Sequence, residues 1–108
     1  MHLDDYQHAA RQTAIYDERH RVIYPALGLA SEAGEVAGKV KKVLRDQDGD
    51  FSRAPVEALK DELGDVLWYV AVLAADLGLS LDDIAAHNLT KLASRRQRGR
   101  LGGEGDER

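Results

Sequence analysis

The chain has no cysteine, which excludes a disulfide framework, a thiolate metal site and a cysteine nucleophile. Any metal must therefore rest on carboxylates and histidines. Proline is nearly absent too: Pro25 and Pro55 are its only copies, and both stand where a helix can begin rather than inside one. That scarcity points to an all-α protein. No apolar run approaches roughly 18 residues, and the amino terminus MHLDDYQHAA lacks the basic patch and apolar segment of a secretory signal. A soluble, cytoplasmic protein with no membrane partner is the expectation. Net positive charge is also missing. At a formal −4 the chain is a poor general nucleic-acid binder, since affinity for a phosphate backbone needs many Lys and Arg contacts. The exception is the stretch from Lys91 to Arg100, which carries Arg95, Arg96 and Arg98 as well and no acid.

With 108 residues there is room for one domain, small enough that association with further copies is expected from the outset. Apolar periodicity divides residues 1–98 into four helices. The first spans Leu3 to about Tyr16 and is weakly amphipathic, and Asp17 to Ile23 reads as a loop. The second runs from about Tyr24 to Leu44, with Leu29, Ala33, Val36, Val40 and Val43 on one side. Its Ala30, Gly34 and Gly38 form a small-residue stripe that predicts tight helix packing. After the turn-rich DQDGD, Ser52 is placed to cap a third helix reaching about Leu77. The apolar set of this helix, Leu59, Leu63, Val66, Leu67, Val70, Leu73 and Leu77, is wide enough to face several neighbours, so it should be central. Gly78 ends it. Ser80 opens the fourth helix, Leu81 to Gln97, with Asp83 in an approximate capping box. Residues 99–108, GRLGGEGDER with its Arg98-side glycine, lack periodicity and read as a disordered tail.

Chemistry concentrates in two carboxylate pairs. Glu32 and Glu35 are three apart, so their side chains leave the second helix about 60° apart and within reach of one ion. Glu62 and Asp65 repeat the spacing on the third helix. One such pair alone is a weak signal, because solvated helix faces produce it constantly. Here both pairs border apolar residues and enclose a glycine, Gly34 or Gly64. Like charges at an apolar boundary repel unless something positive lies between them. An all-oxygen donor set favours Mg²⁺, with Mn²⁺ as a substitute, over Zn²⁺. A di-iron site would require Glu-x-x-His, which is absent.

Opposite charge is available nearby in sequence. Asn88, Lys91 and Arg95 align on the fourth helix and could meet a triphosphate on the side that a metal leaves open; Lys39, one turn beyond Glu35, and Lys42 are weaker candidates. Tyr69 follows Asp65 by one turn on the same face. Trp68 could pack against a base, or fill a core or interface.

Three blocks, YPALGLASEAGEVAGKVKK from Tyr24, DELGDVLWYVAVLA from Asp61 and NLTKLASR from Asn88, resemble the single-domain MazG-like nucleotide pyrophosphohydrolases of the all-α NTP pyrophosphatase superfamily. The family pattern is ExxE, a variable spacer and ExxD, and 26 residues separate Glu35 from Glu62 here. The resemblance implies a four-helix, bundle-like catalytic domain assembling as a homodimer or homotetramer. It further implies Mg²⁺ at Glu32, Glu35, Glu62 and Asp65, and hydrolysis of a nucleoside triphosphate to monophosphate and pyrophosphate in nucleotide-pool housekeeping. Lys39, Tyr69, Asn88, Lys91 and Arg95 match positions that contact phosphates or sugar. Phosphoribosyl-ATP hydrolysis, or a non-catalytic nucleotide-binding oligomer, would leave the same blocks.

Overall fold

Helix α1 spans Leu3–Gln12, α2 Ile23–Asp46, α3 Arg53–Asp76 and α4 Leu81–Gln97, with a 3-10 turn at Glu18–His20 and no strand. These elements come from a computed structural model that describes all residues, 1–108. The expected four helices are present. The first is shorter than its periodicity predicts, because Thr13 turns back: its backbone N–H and hydroxyl both bond to the Ala10 carbonyl, at 3.0 and 2.7 Å. A carbonyl engaged this way no longer propagates the helix.

The two turns around α3 follow backbone rules. Asp48 and Gly49 take positive φ, 53° and 74°, after α2. At the other end Gly78, at φ 73°, lets the Leu79 N–H bond to the Ala74 carbonyl at 2.8 Å. That left-handed glycine with a backward hydrogen bond is a common helix stop. Ser80 caps α4 as its sequence suggests, accepting from the Asp83 N–H at 3.2 Å. The hydroxyl of Ser52 makes no capping bond at α3, contrary to expectation.

The core lies where α1 crosses the C-terminal half of α3 and the start of α4. Ala10, Ala71, Val72 and Leu81 are buried there, flanked by Tyr6, Tyr16, Trp68 and Val70. Gln7 locks the junction. Its amide donates to the Ala71 and Leu79 carbonyls at 3.1 and 3.0 Å and accepts from the Leu81 N–H at 3.1 Å. Asp4 adds a second cap to α4, accepting from the Asp82 N–H at 2.9 Å and from Ser80 Oγ at 2.8 Å. These bonds, led by the Asp82 N–H, hold the Asp4 carboxyl below its ordinary pKa.

A closed bundle does not form within one chain. α2 and α3 lie against each other as a long hairpin, but α4 leaves the direction of α3 by 103° and packs on α1 and the end of α3 rather than on α2. Only 10 of 108 residues are buried. The radius of gyration is 16.7 Å, against about 13 Å for a compact chain of this length. Leu27, Val56, Leu63 and Leu67 therefore stand exposed along the hairpin. The central position of α3 is correct, with α1, α2 and α4 all packing on it, but Leu63 and Leu67 of its broad apolar face stay uncovered. The small-residue stripe is also corrected: a side chain at Gly34 or Gly38 would meet nothing within 4 Å. No single helix is long and apolar enough to cross a membrane.

Candidate metal centre

Glu32 and Glu62 face each other across the α2–α3 hairpin, with Asp65 one turn further along α3. One carboxylate oxygen from each lies within 4.8 Å of the others. Two oxygens on a single Mg²⁺ are at most about 4.2 Å apart. Neighbouring oxygens on an octahedral Mg²⁺ are about 3.0 Å apart, so a closing of up to about 2 Å would let the three share one ion, and hard oxygen donors suit it. Asp65 is exposed while Glu32 and Glu62 are half-buried, so the centre opens to solvent on one side.

The acids also act on one another electrostatically. Desolvation first, then the negative charges of Asp65, Glu62 and Glu35, push the Glu32 carboxyl above its ordinary pKa. Lys39 pairs with the neighbouring Glu62, its Nζ 3.6 Å from Oε1. Below Lys39 a cleft of about 260 Å³ opens between the end of α2 and the first turns of α3, with Lys42, Asp46, Pro55 and Ala58 on its walls. Lys39 is thus a member of the cluster, a more direct role than its place in the sequence suggested.

Glu35 stands apart. It is exposed and outside the group of three, although near enough to repel Glu32.

Tyr69 lies on α3 one turn beyond Asp65. Burial, followed by the neighbouring Tyr24 hydroxyl and the charges of Glu32 and Asp65, raises the pKa of its hydroxyl. Its ring lies directly over Gly28, where an added methyl group would overlap ring carbons. Glycine is required here by close approach, a need hidden in the sequence because Gly28 merely precedes Leu29. Gly28→Ala should lower stability by about 1–2 kcal/mol: overpacking typically costs ~1–3 kcal/mol, and better helix propensity returns up to ~1. Thermal unfolding with near-ultraviolet circular dichroism checks this. An unchanged melting temperature and aromatic spectrum would show that Tyr69 does not rest on Gly28.

Trp68 turns the other way. Its indole N–H donates to Thr13 Oγ1 at 2.8 Å, and its ring meets Tyr69 edge-on at 4.9 Å. It ties α3 to α1 at the core edge.

The stripe on α4 is not brought to the carboxylates within one chain. Asp65 lies about 16 Å along α3 from its end, and Lys91 about 15 Å along α4 from its start. With the 103° bend the axes there are on the order of 20 Å apart. Asn88 is exposed. Lys91 Nζ and Arg95 both sit 3.1 Å from Asp106 Oδ1, and the Arg95 guanidinium also donates to the Asp106 carbonyl at 2.8 Å. Those two arms hold the Asp106 carboxyl below its ordinary pKa. The final residues thus fold back on α4.

Residues 25–99 match the family model of the MazG nucleotide pyrophosphohydrolase domain. Along its full length the chain is 48% identical to Gene 37 protein of Mycobacterium phage L5, in an alignment of 114 residues that covers 100% of both proteins. No solved structure matches it significantly. The matched segment contains Glu32, Lys39, Glu62 and Asp65, the same side chains that converge across the hairpin, and the chain belongs to the MazG nucleotide pyrophosphohydrolase family.

Proposed function

We propose that the protein hydrolyses nucleoside triphosphates, ribo or deoxyribo, to the monophosphate and pyrophosphate with Mg²⁺ as cofactor, clearing unwanted nucleotides from the pool. The observation that carries this reading is the convergence of Glu32, Glu62 and Asp65 beside Lys39. Such an ion supplies charge neutralisation on the phosphate oxygens and activation of the attacking water. The chain's own groups bind and orient. Glu32, Glu62 and Asp65 hold the cation, with Glu35 able to join by side-chain rotation from one turn away. Lys39, and Lys42 along the cleft, attract the β- and γ-phosphates. Tyr69 orders the sugar side of the site. The water oxygen bonds to the α-phosphorus and gives up a proton to solvent, the bond from the α-phosphorus to the bridging oxygen breaks, and pyrophosphate leaves with that oxygen and its negative charge.

Asn88, Lys91 and Arg95 join such a site only if another copy supplies them, and a homodimer or homotetramer would also cover the exposed leucines of the hairpin. Exposed apolar surface on this scale suits association.

Incubation with a nucleotide panel and Mg²⁺, followed by chromatography, tests the reaction. Monophosphate plus pyrophosphate is the expected result. Diphosphate plus orthophosphate, or no turnover of any nucleotide, would overturn it.

Metal binding should depend on pH in a definite direction. Because the Glu32 pKa is raised in the folded chain, the metal-free protein gains stability as pH falls and this carboxyl takes up its proton. Mg²⁺ requires the ionised form, so its affinity falls over the same range, beginning at a higher pH than an ordinary carboxylate would dictate. The rise in melting temperature produced by Mg²⁺ should shrink as pH falls toward the carboxylate range, starting above the pH at which an ordinary glutamate begins to protonate. A Mg²⁺ effect that stayed constant down to the usual carboxylate range would show that Glu32 is not a ligand.

A further inference from the structure

A nucleotide held by its phosphates at the hairpin carboxylates needs a second contact for its base, and aromatic side chains lead away from that point. Tyr69, beside Glu32 and Asp65, is followed by Tyr24 with ring centroids 6.4 Å apart. Tyr24 in turn stacks on Tyr16 at 4.9 Å with 25° between the rings. One face of Tyr24 is therefore backed by Tyr16, while the residue as a whole remains 46% exposed. Tyr24 and Glu32 are eight residues apart on α2, about 12 Å along the axis, a span that an extended nucleoside phosphate can bridge.

Tyr16 lies outside any helix, in the segment joining α1 to α2, so something must hold it against Tyr24. That anchor is Asp76, the last residue of α3. Its side chain has no exposure to solvent, with Arg11 and Arg21 each within 4 Å of Oδ1. Oδ2 accepts from the Tyr16 hydroxyl at 2.5 Å and from the Val22 N–H at 2.9 Å. Val22 is strained, with φ 67° and ψ −54°, and the Ile23 N–H closes a tight turn on the Arg21 carbonyl at 2.7 Å. A β-branched residue adopts such a turn only when its surroundings hold it there. Burial and Asp76 push the Tyr16 hydroxyl up to about 12; against the desolvation of Asp76 itself, the Tyr16 hydroxyl, the Val22 N–H and the two arginines together hold its carboxyl below its ordinary pKa. The anchor is thus intact throughout the neutral range. Nothing in the triphosphate chemistry calls for a carboxylate three turns beyond Asp65.

We propose that Asp76 is a positioning residue for nucleotide binding: by fastening Tyr16 and Val22, it holds Tyr24 as a backed aromatic platform on which the base stacks. This rests on the nucleotide reading above. Stacking tolerates any base, since each presents a π face. The platform therefore separates nucleotides from bare polyphosphates, which share the phosphates and have nothing to stack.

The test compares calorimetric titrations, in Mg²⁺, of a non-hydrolysable nucleoside triphosphate and of inorganic tripolyphosphate into the full chain. Asp76→Asn keeps the shape and removes the charge. Tyr16→Phe keeps the ring and removes the hydroxyl, and serves if the first variant does not fold. Each should weaken nucleotide binding about tenfold, equivalent to about 1.4 kcal/mol and within the range of one base–aromatic stack. Tripolyphosphate affinity should stay within twofold of wild type. In turnover, KM should rise by a similar factor with kcat unchanged. Equal weakening of both ligands, unchanged nucleotide affinity, or a wild-type protein that binds tripolyphosphate as well as nucleotide would overturn the proposal. Nucleotide binding with the expected pattern but no turnover would sink the hydrolase reading and leave the platform standing.

Discussion

Asp65→Asn is expected to lower the rate of pyrophosphate release by at least about a hundredfold. Mutating groups that merely support a metal's ligands typically costs roughly 10–100-fold, so loss of a ligand sets that range as a minimum. Stability should not fall with activity. Asp65 is exposed, and its charge raises the pKa of Glu32 by repulsion; removing it relieves the metal-free site. The expected pattern is unchanged helicity, an equal or higher melting temperature without Mg²⁺, and a smaller Mg²⁺-induced rise. Turnover by product chromatography, read beside circular dichroism, separates this from simple unfolding. Wild-type turnover in the variant would remove Asp65 from the centre. Glu35→Gln is expected to lose activity on the same scale, through rotation of Glu35 into the cation's shell; a near-native rate would restrict the centre to the three acids already gathered.

Much of this architecture could be read from residue order. Gly78 and Ser80 mark the α3–α4 turn because a left-handed residue and an N-cap each demand particular side chains. Accordingly α4 begins and ends where its pattern says. The carboxylate pairs are legible for a similar reason: i,i+3 spacing fixes their common face before any tertiary contact forms. Periodicity shows which face is apolar but not what covers it. Leu63 and Leu67 belong to an apolar stripe and are nonetheless 56% and 41% exposed, because α4 swings away from the hairpin. For the same reason the α4 cations, correctly seen as a stripe, are not beside the acids within one chain. Asp76 was hidden among alanines and leucines, where an acid reads as a surface residue; its partners come from residues 11–22, more than 50 positions earlier. Its one visible trace is an acid in the last turn of a helix, where the dipole would favour a base.

The angle of α4 depends most on a residue that no pattern singles out. Gln7 is an ordinary polar position in a weakly amphipathic helix, yet it is buried and satisfies two carbonyls and one N–H from three different places in the chain. Gln7→Ala would strand the Leu81 N–H in a dry junction and remove the bond that the Ala71 carbonyl, inside α3, makes beyond its helical one. At ~1–3 kcal/mol for the stranded donor and ~0.5–1.5 kcal/mol for a lost hydrogen bond, with the Leu79 bond closer to solvent, the expected loss is about 2–4 kcal/mol. For a domain of this size that corresponds to a fall in melting temperature of roughly 10–20 °C. Gln7→Glu distinguishes hydrogen bonding from volume. It preserves the shape and the acceptor for Leu81, but turns a carboxylate toward two carbonyl oxygens, so it should destabilise at least as much at neutral pH and recover partly in acid as the carboxyl protonates. A shift of only a few degrees for both variants would show that the junction is held by apolar packing alone. The carboxylate centre lies on the hairpin, away from this junction, so Mg²⁺ affinity measured well below the melting transition should be unchanged in both.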